Sequence, residues 1–268
     1  MAQSDQPSEK NKEDSLLMSN LKFLGNIFLP ALQAPGTSYA LDAGKYFDDP
    51  QVVALVNDIQ RGRADKVKAA LERGVDPNAL GKVNIRPIFF IFPASNTDAA
   101  RVLLEAGADP NVRLENGEPV LMYAVVQKNS GFTKLLLEHG ADPNAIGDND
   151  KPVMHQAIRS GFPEQVQLLA SAGGDINVVW GAGTPLTAAI AGLSWAMATT
   201  LLDLGADTEW RKEKGKVRTT AGEKLCNFFT RERPLKIPRE LHGDVRELFM
   251  AFERRGVKLS CTVEDATR

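Results

Sequence analysis

Apolar and polar positions along this chain fall into a pattern that returns about every 33 residues. Residues 67–73, 100–106, 132–139, 166–172 and 198–204 are each an apolar, helix-favouring run. Each run stops at a glycine: Gly74, Gly107, Gly140, Gly173 and Gly205. The first four of these are 33 residues apart and the last interval is 32. Without a Cβ, Gly takes the left-handed conformation that ends a helix at little cost. The residues after the stop also repeat. They read Gly74-Val75-Asp76-Pro77-Asn78, Gly107-Ala108-Asp109-Pro110-Asn111, Gly140-Ala141-Asp142-Pro143-Asn144, Gly173-Gly174-Asp175-Ile176-Asn177 and Gly205-Ala206-Asp207-Thr208. Asp-Pro-Asn is turn chemistry, because Pro fixes φ and Asp and Asn side chains bond nearby backbone.

A second helix completes each unit. Its start is marked by Arg86-Pro87-Ile88-Phe89, Pro119-Val120-Leu121-Met122, Pro152-Val153-Met154-His155 and Thr184-Pro185-Leu186-Thr187. Pro is tolerated in a first helical turn, where its missing N–H has no partner in any case. The unit is therefore helix, helix, Gly stop, turn and loop. Self-similarity at this period sets the architecture before any single residue is considered.

These openers and closings resemble the ankyrin repeat, in which Thr-Pro-Leu-His opens the first helix and Gly-Ala-Asp-Val/Pro-Asn-Ala follows the second. Thr184-Pro185-Leu186 is the nearest opener, and His155 stands at the motif's His position. The resemblance covers residues 48–210 and, more loosely, 219–260. It implies an all-α ankyrin-repeat solenoid of helix-turn-helix units with finger loops and atypical N- and C-terminal capping units. The repeat domain is set at residues 48–260, about six units, with an insertion at 231–243 and a tail at 261–268.

The ends depart from the repeat. Residues 1–17 are polar and charged and are expected to be disordered. Residues 18–40 carry an apolar segment at 23–32 behind Lys22, and Ser38-Tyr39-Ala40 is a small-x-small site. Two readings stay open for this stretch: a secretory signal segment, or an apolar arm packed on the first repeat. Asp48-Asp49-Pro50 is a helix start, and helices at 51–60 and 64–73 form the N-terminal cap. The block Ile88-Phe89-Phe90-Ile91-Phe92 is placed in a first helix, part of it core and part on an exposed face. After Trp210 the register fails. A helix is expected at 220–230, and a final amphipathic helix at 244–255 carries Val245, Leu248, Phe249 and Phe252 at helical spacing.

Composition adds little to class and something to partners. Of the 268 residues, 43% are hydrophobic and 25% charged, and net charge is −2. That is ordinary for a globular chain. The longest apolar run is too short to span a bilayer. Charge is unevenly placed: residues 211–239 carry ten Lys/Arg against three Glu. Cys226 and Cys261 are too few for a disulfide scaffold and have two readings, buried free thiols or a disulfide in an oxidising compartment.

Candidate chemistry is sparse. His139, His155 and His242 have no neighbouring ligands at metal spacing. A nucleophile elbow, a P-loop and a Gly-rich dinucleotide motif are all missing. Gly147-Asp148-Asn149-Asp150 is read as a turn rather than a calcium loop. The expectation is a non-catalytic chain with no cofactor and no metal.

The ankyrin resemblance implies protein binding through finger loops and the exposed end of each first helix. Carried over by register, the candidate partner-binding residues are Asn84, Pro93, Glu115, Asn116, Val126, Gln127, Asp148, Asp150, Arg159, Ser160, Val179, Trp180, Arg211 and Lys212. Trp180 is a candidate interface anchor, with packing over the adjacent unit as its other reading. By the same resemblance, His155 bonds backbone and ties turns together. The Asp-Pro-Asn closings and the lead-in Tyr46-Phe47-Asp48-Asp49-Pro50 resemble bacterial ankyrin proteins. Some of these are immunity proteins that block a cognate secreted toxin, such as a type VI lipase or phospholipase effector. The implied partner is such a toxin; the implied free state is a monomer, with no nucleic acid bound. The implied place is the bacterial periplasm if residues 18–40 are a signal segment, and the cytoplasm otherwise. The alternatives are an intracellular ankyrin scaffold or regulator, and an anionic-surface binder acting through residues 211–239.

Overall fold

The five glycine stops all adopt left-handed backbone. Gly74, Gly107, Gly140, Gly173 and Gly205 have φ of 91°, 90°, 88°, 91° and 96°. A computed structural model describes residues 41–94, 97–181, 183–210, 220–230 and 237–267. The apolar segment at 18–40, most of the basic stretch 211–239 and part of the 231–243 insertion lie outside the described residues. The chain divides into two compact units, Met1–Ala141 and Asp142–Arg268.

Among the described residues the first unit holds three pairs of helical segments. α1 (Pro50–Gln60) is capped by Asp49, whose carboxylate accepts from the Gln51 N–H, with Pro at the first turn. α2 (Ala64–Glu72) returns beside it. The chain enters at Leu41, where the buried Gln60 amide grips both backbone groups: Leu41 N–H donates to Oε1 at 2.6 Å and Nε2 donates to Leu41 O at 2.9 Å. Tyr46 and Phe47 are buried against Phe90, each with ring centroids 5.8 Å apart. Phe47 also explains Gly81, since a Cβ there would stand 2.8 Å from Phe47 Cε1 and 2.8 Å from Ile85 Cγ2.

The second pair departs from the expectation of a full first helix. Residues Pro87–Phe90 make only a short 3-10 turn, followed by α3 (Asp98–Glu105). Ile and Phe are mediocre helix formers, and packing dictates the shape here. None of the block 88–92 is left on an exposed face: all five side chains are 6% exposed or less. Phe89 meets Tyr123, and Phe92 meets Phe132 at 5.6 Å. α4 (Val120–Ala124) and α5 (Gly131–Glu138) form the third pair.

The second unit begins with α6 (Val153–Ser160) and α7 (Pro163–Ser171), then α8 (Pro185–Ala191) and α9 (Trp195–Asp203). Thr184 caps α8 and Pro185 occupies its first turn, whereas Pro119 and Pro152 sit one position earlier as N-caps of α4 and α6. α10 (Ala221–Phe229) opens with a reciprocal capping box between Thr220 and Glu223. α11 (His242–Arg254) buries Val245, Leu248, Phe249 and Phe252, and ends at Gly256 with φ 71°. Trp195 packs on Phe228 and Phe229, and Phe229 on Phe249, so α9, α10 and α11 share one aromatic core.

Residues 261–267 are folded rather than a tail. Cys261 is disulfide-bonded to Cys226 on α10, and α12 (Val263–Thr267) follows. Thr262 and Asp265 cap α12 reciprocally, with bonds of 2.9 and 3.3 Å. A helix this short leaves too few apolar positions for its period to be read.

The turn phrase does more than reverse the chain. Within each turn the Asp carboxylate accepts from the Asn N–H two residues on, at 2.8 Å in Asp76–Asn78, Asp109–Asn111, Asp142–Asn144 and Asp175–Asn177. The Asn side chain then reaches the following repeat. Asn78 Nδ2 donates to Gly107 O at 2.8 Å, and its Oδ1 accepts from Asp109 N–H at 2.8 Å. Asn144 makes the same pair to Gly173 O and Asp175 N–H at 3.1 and 2.7 Å. Each of these two Asn side chains thus pairs backbone groups of the following turn, which have no helix partner. At the last stop Asn177 Oδ1 again accepts from Asp207 N–H at 2.8 Å, and Arg255 donates to Leu202 O, Gly205 O and Ala206 O.

Candidate protein-binding surface

Finger loops in both units are held by backbone before any side chain is placed. Gly81 N–H donates to Ile85 O, Leu114 N–H to Glu118 O, Gly147 N–H to Lys151 O and Trp180 N–H to Gly183 O. The bridge pairs Arg113 with Pro119, Ile146 with Pro152 and Trp180 with Gly183. Each finger is therefore a tight hairpin-like loop on a fixed stem. Two of the tips are paired runs of left-handed residues: Val83 and Asn84 at φ 53° and 59°, Asn149 and Asp150 at 55° and 53°. Asn and Asp accept that conformation readily; a β-branched Val does not.

In the first unit the expected site residues divide. Asn84 and Glu115 are exposed and belong to adjoining fingers, linked by Asn84 Nδ2 to Arg113 O at 2.7 Å and Glu115 N–H to Val83 O at 3.2 Å. Asn116 is exposed and its Oδ1 accepts from Glu118 N–H. Pro93 and Val126 are half-buried. Gln127 corrects the register argument: it is only 5% exposed, and its amide donates to Tyr123 O at 2.9 Å. α4 stops at Ala124, so Gln127 lies past the helix and not on its open end.

In the second unit Arg159 is exposed at the end of α6, and Ser160 Oγ bonds Ala157 O. Asp148 and Asp150 are exposed at their fingertip, and Val179 is 52% exposed. Trp180 is half-buried and packs over the preceding finger. Its Nε1 donates to Asn149 O at 3.1 Å, joining two successive fingers. Its ring lies 5.6 Å from the His155 ring and has Lys151 Nζ over it at 6.0 Å. His155 Nε2 bonds Val178 O at 2.9 Å, and burial lowers its pKa below the ordinary His value. Arg211 and Lys212 lie outside the described residues.

The structure brings together Asp148, Asp150, Val179 and Trp180 through the Trp180–Asn149 link. It also adds Ile146, 46% exposed, which the motif reading passed over. The clue was in the sequence: the second residue after each closing Asn is Leu80, Arg113, Ile146 and Val179, at 33-residue spacing. Leu80 is 65% exposed in the first unit.

A family model described as Ankyrin repeats (3 copies) matches residues 55–147 and, in an overlapping placement, residues 92–179. The chain contains ankyrin repeats. No curated protein matches the chain. Ankyrin repeats are modules for binding proteins, and they are generally not catalytic. Among the described residues, no group of three or more His, Cys, Asp or Glu could hold a metal ion. Among the same residues, no helix is long and apolar enough to cross a membrane.

Proposed function

We propose that this ankyrin-repeat chain is a stoichiometric protein binder and, more narrowly, an immunity protein that neutralises a cognate secreted toxin of the type VI lipase or phospholipase class. The observation that carries the binding part is the pair of fingers at residues 144–152 and 177–181, cross-linked by Trp180 Nε1–Asn149 O and presenting Ile146 and Val179 outward. A surface whose loops are already ordered loses little conformational freedom on binding. The disulfide between Cys226 and Cys261 supports the narrower part. Disulfides persist in oxidising compartments such as the bacterial periplasm. That is where a phospholipase effector meets its substrate and where an inhibitor of it is needed.

The test uses the full chain, immobilised and exposed to lysate of the source organism. The retained protein is identified by mass spectrometry and assayed on phospholipid vesicles. The proposal expects one retained protein whose vesicle hydrolysis falls to background at one equivalent of this chain. Hydrolysis that continues in excess of the chain contradicts the immunity reading. Retention of no protein contradicts protein binding itself.

A further inference from the structure

The binding surface of the second unit has a chemical sign. Residues 142–210 contain eight Asp/Glu and only two Lys/Arg, Lys151 and Arg159. Lys151 is turned inward, with its ammonium over the Trp180 ring at 6.0 Å and against Gln156 Oε1 at 3.2 Å. The fingertip beyond it holds the exposed carboxylates of Asp148 and Asp150. Beside that acidic tip stand two aliphatic side chains at one register position, Ile146 and Val179, 46% and 52% exposed. Isolated exposed aliphatics are common. These two stand at equivalent positions of adjoining fingers that the Trp180 Nε1–Asn149 O hydrogen bond joins, next to the acidic tip.

We propose that this finger face receives a cationic segment of a partner protein that also carries aliphatic side chains. Ile146 and Val179, with the open edge of Trp180, take the aliphatic groups. Asp148 and Asp150 face the Lys or Arg groups that flank them. Complementary charge of this kind sets the choice of partner and its rate of arrival, while the apolar contact supplies residence. The inference rests on the protein-binding reading above and narrows it to one partner chemistry. A basic stretch of this same chain, residues 211–218, has complementary charge too, and the experiment separates that occupant from a partner.

The probe is an end-blocked peptide, Lys-Ser-Leu-Ser-Leu-Ser-Lys. In an extended chain its Leu and Lys side chains share one face. One control replaces Lys by Glu and another replaces Leu by Gly. Binding to the isotope-labelled full chain is read from amide NMR shifts. The proposal expects shifts confined to residues 146–151 and 179–181, with the Lys/Leu peptide about ten-fold tighter than either control. The double variant Ile146→Ser, Val179→Ser should lose about ten-fold in affinity with an unchanged melting curve. Asp148→Asn with Asp150→Asn should weaken binding about three-fold or more and flatten its salt dependence.

Equal binding of the Glu/Leu peptide overturns the assigned sign, and equal binding of the Lys/Gly peptide overturns the aliphatic part. Binding that emerges only after Arg211, Lys212, Lys214, Lys216 and Arg218 are changed to Gln assigns the face to the chain's own segment and overturns the proposal. A captured protein partner that is indifferent to Ile146→Ser, Val179→Ser overturns this inference while leaving the binding reading intact.

Discussion

Replacing Asn78 by Ala removes two hydrogen bonds that join consecutive repeats of the first unit. One runs from Nδ2 to Gly107 O and one from Asp109 N–H to Oδ1, both at 2.8 Å. A protein hydrogen bond is worth about 1 kcal/mol net, because water replaces what is lost. Gly107 and Asp109 are exposed, so water can reach both freed backbone groups. The expected loss is therefore about 2 kcal/mol at most and about 1 kcal/mol at least. For a chain of this length, that is a fall in Tm of about 2–8 °C. Asn78→Asp sets a carboxylate oxygen against Gly107 O where the donor stood, so it should lose at least as much as Asn78→Ala. Urea unfolding followed by circular dichroism measures the change as a shift of midpoint at constant slope. A loss below about 0.5 kcal/mol for Asn78→Ala would refute the stapling role. So would an Asn78→Asp variant as stable as the parent.

Val83 holds φ 53° at a fingertip; left-handed backbone costs an ordinary residue about 1–2 kcal/mol. Val83→Asn should therefore raise stability by about 1 kcal/mol, and an unchanged or lower urea midpoint would refute the strain argument. The disulfide closes a separation of 35 residues, for which the chain-entropy relation gives about 4 kcal/mol. Dithiothreitol should lower Tm markedly for the parent and leave Cys226→Ser, Cys261→Ser unmoved; equal melting of oxidised and reduced parent would contradict the link. Burial lowers the pKa of His155, so between that lowered value and the ordinary 6.5 the unfolded chain binds more protons than the folded one. Stability from this site is complete above about pH 6.5 and falls as pH drops toward the folded-state pKa. His155→Gln should flatten that part of the stability–pH curve, and an unaltered slope would remove His155 as its cause.

The helix-stopping glycines were legible because only one residue type takes φ near 90° without penalty, and it recurred at a fixed interval. The cap at Asp49-Pro50 and the apolar face of α11 were legible for similarly local reasons. Three features depended on distance in the chain. The Asn of each closing phrase reads as a local turn former, yet its side chain reaches across to the following repeat, 29 residues on at Gly107 and 31 at Asp109. The block at 88–92 reads as helix by its place in the repeat, yet contacts with Tyr46, Phe47, Tyr123 and Phe132 bury it as a 3-10 turn and loop. The pairing of Cys226 with Cys261 depends on α10 and the segment after α11 coming together, which periodicity does not report. At the site, register alone placed Gln127 on an open helix end, but α4 stops at Ala124 and Gln127 lies past it. Ile146 and Val179 are equivalent in register, the motif reading passed over Ile146, and their exposure in the structure shows that both face outward.

The most direct test of the account is hydrogen exchange on the full chain, alone and in complex with the protein it captures. The account predicts slowed exchange at residues 144–152 and 177–181, the two fingers joined through Trp180 and Asn149. Slowed exchange confined to α7 and α9, with these fingers unchanged, would contradict it.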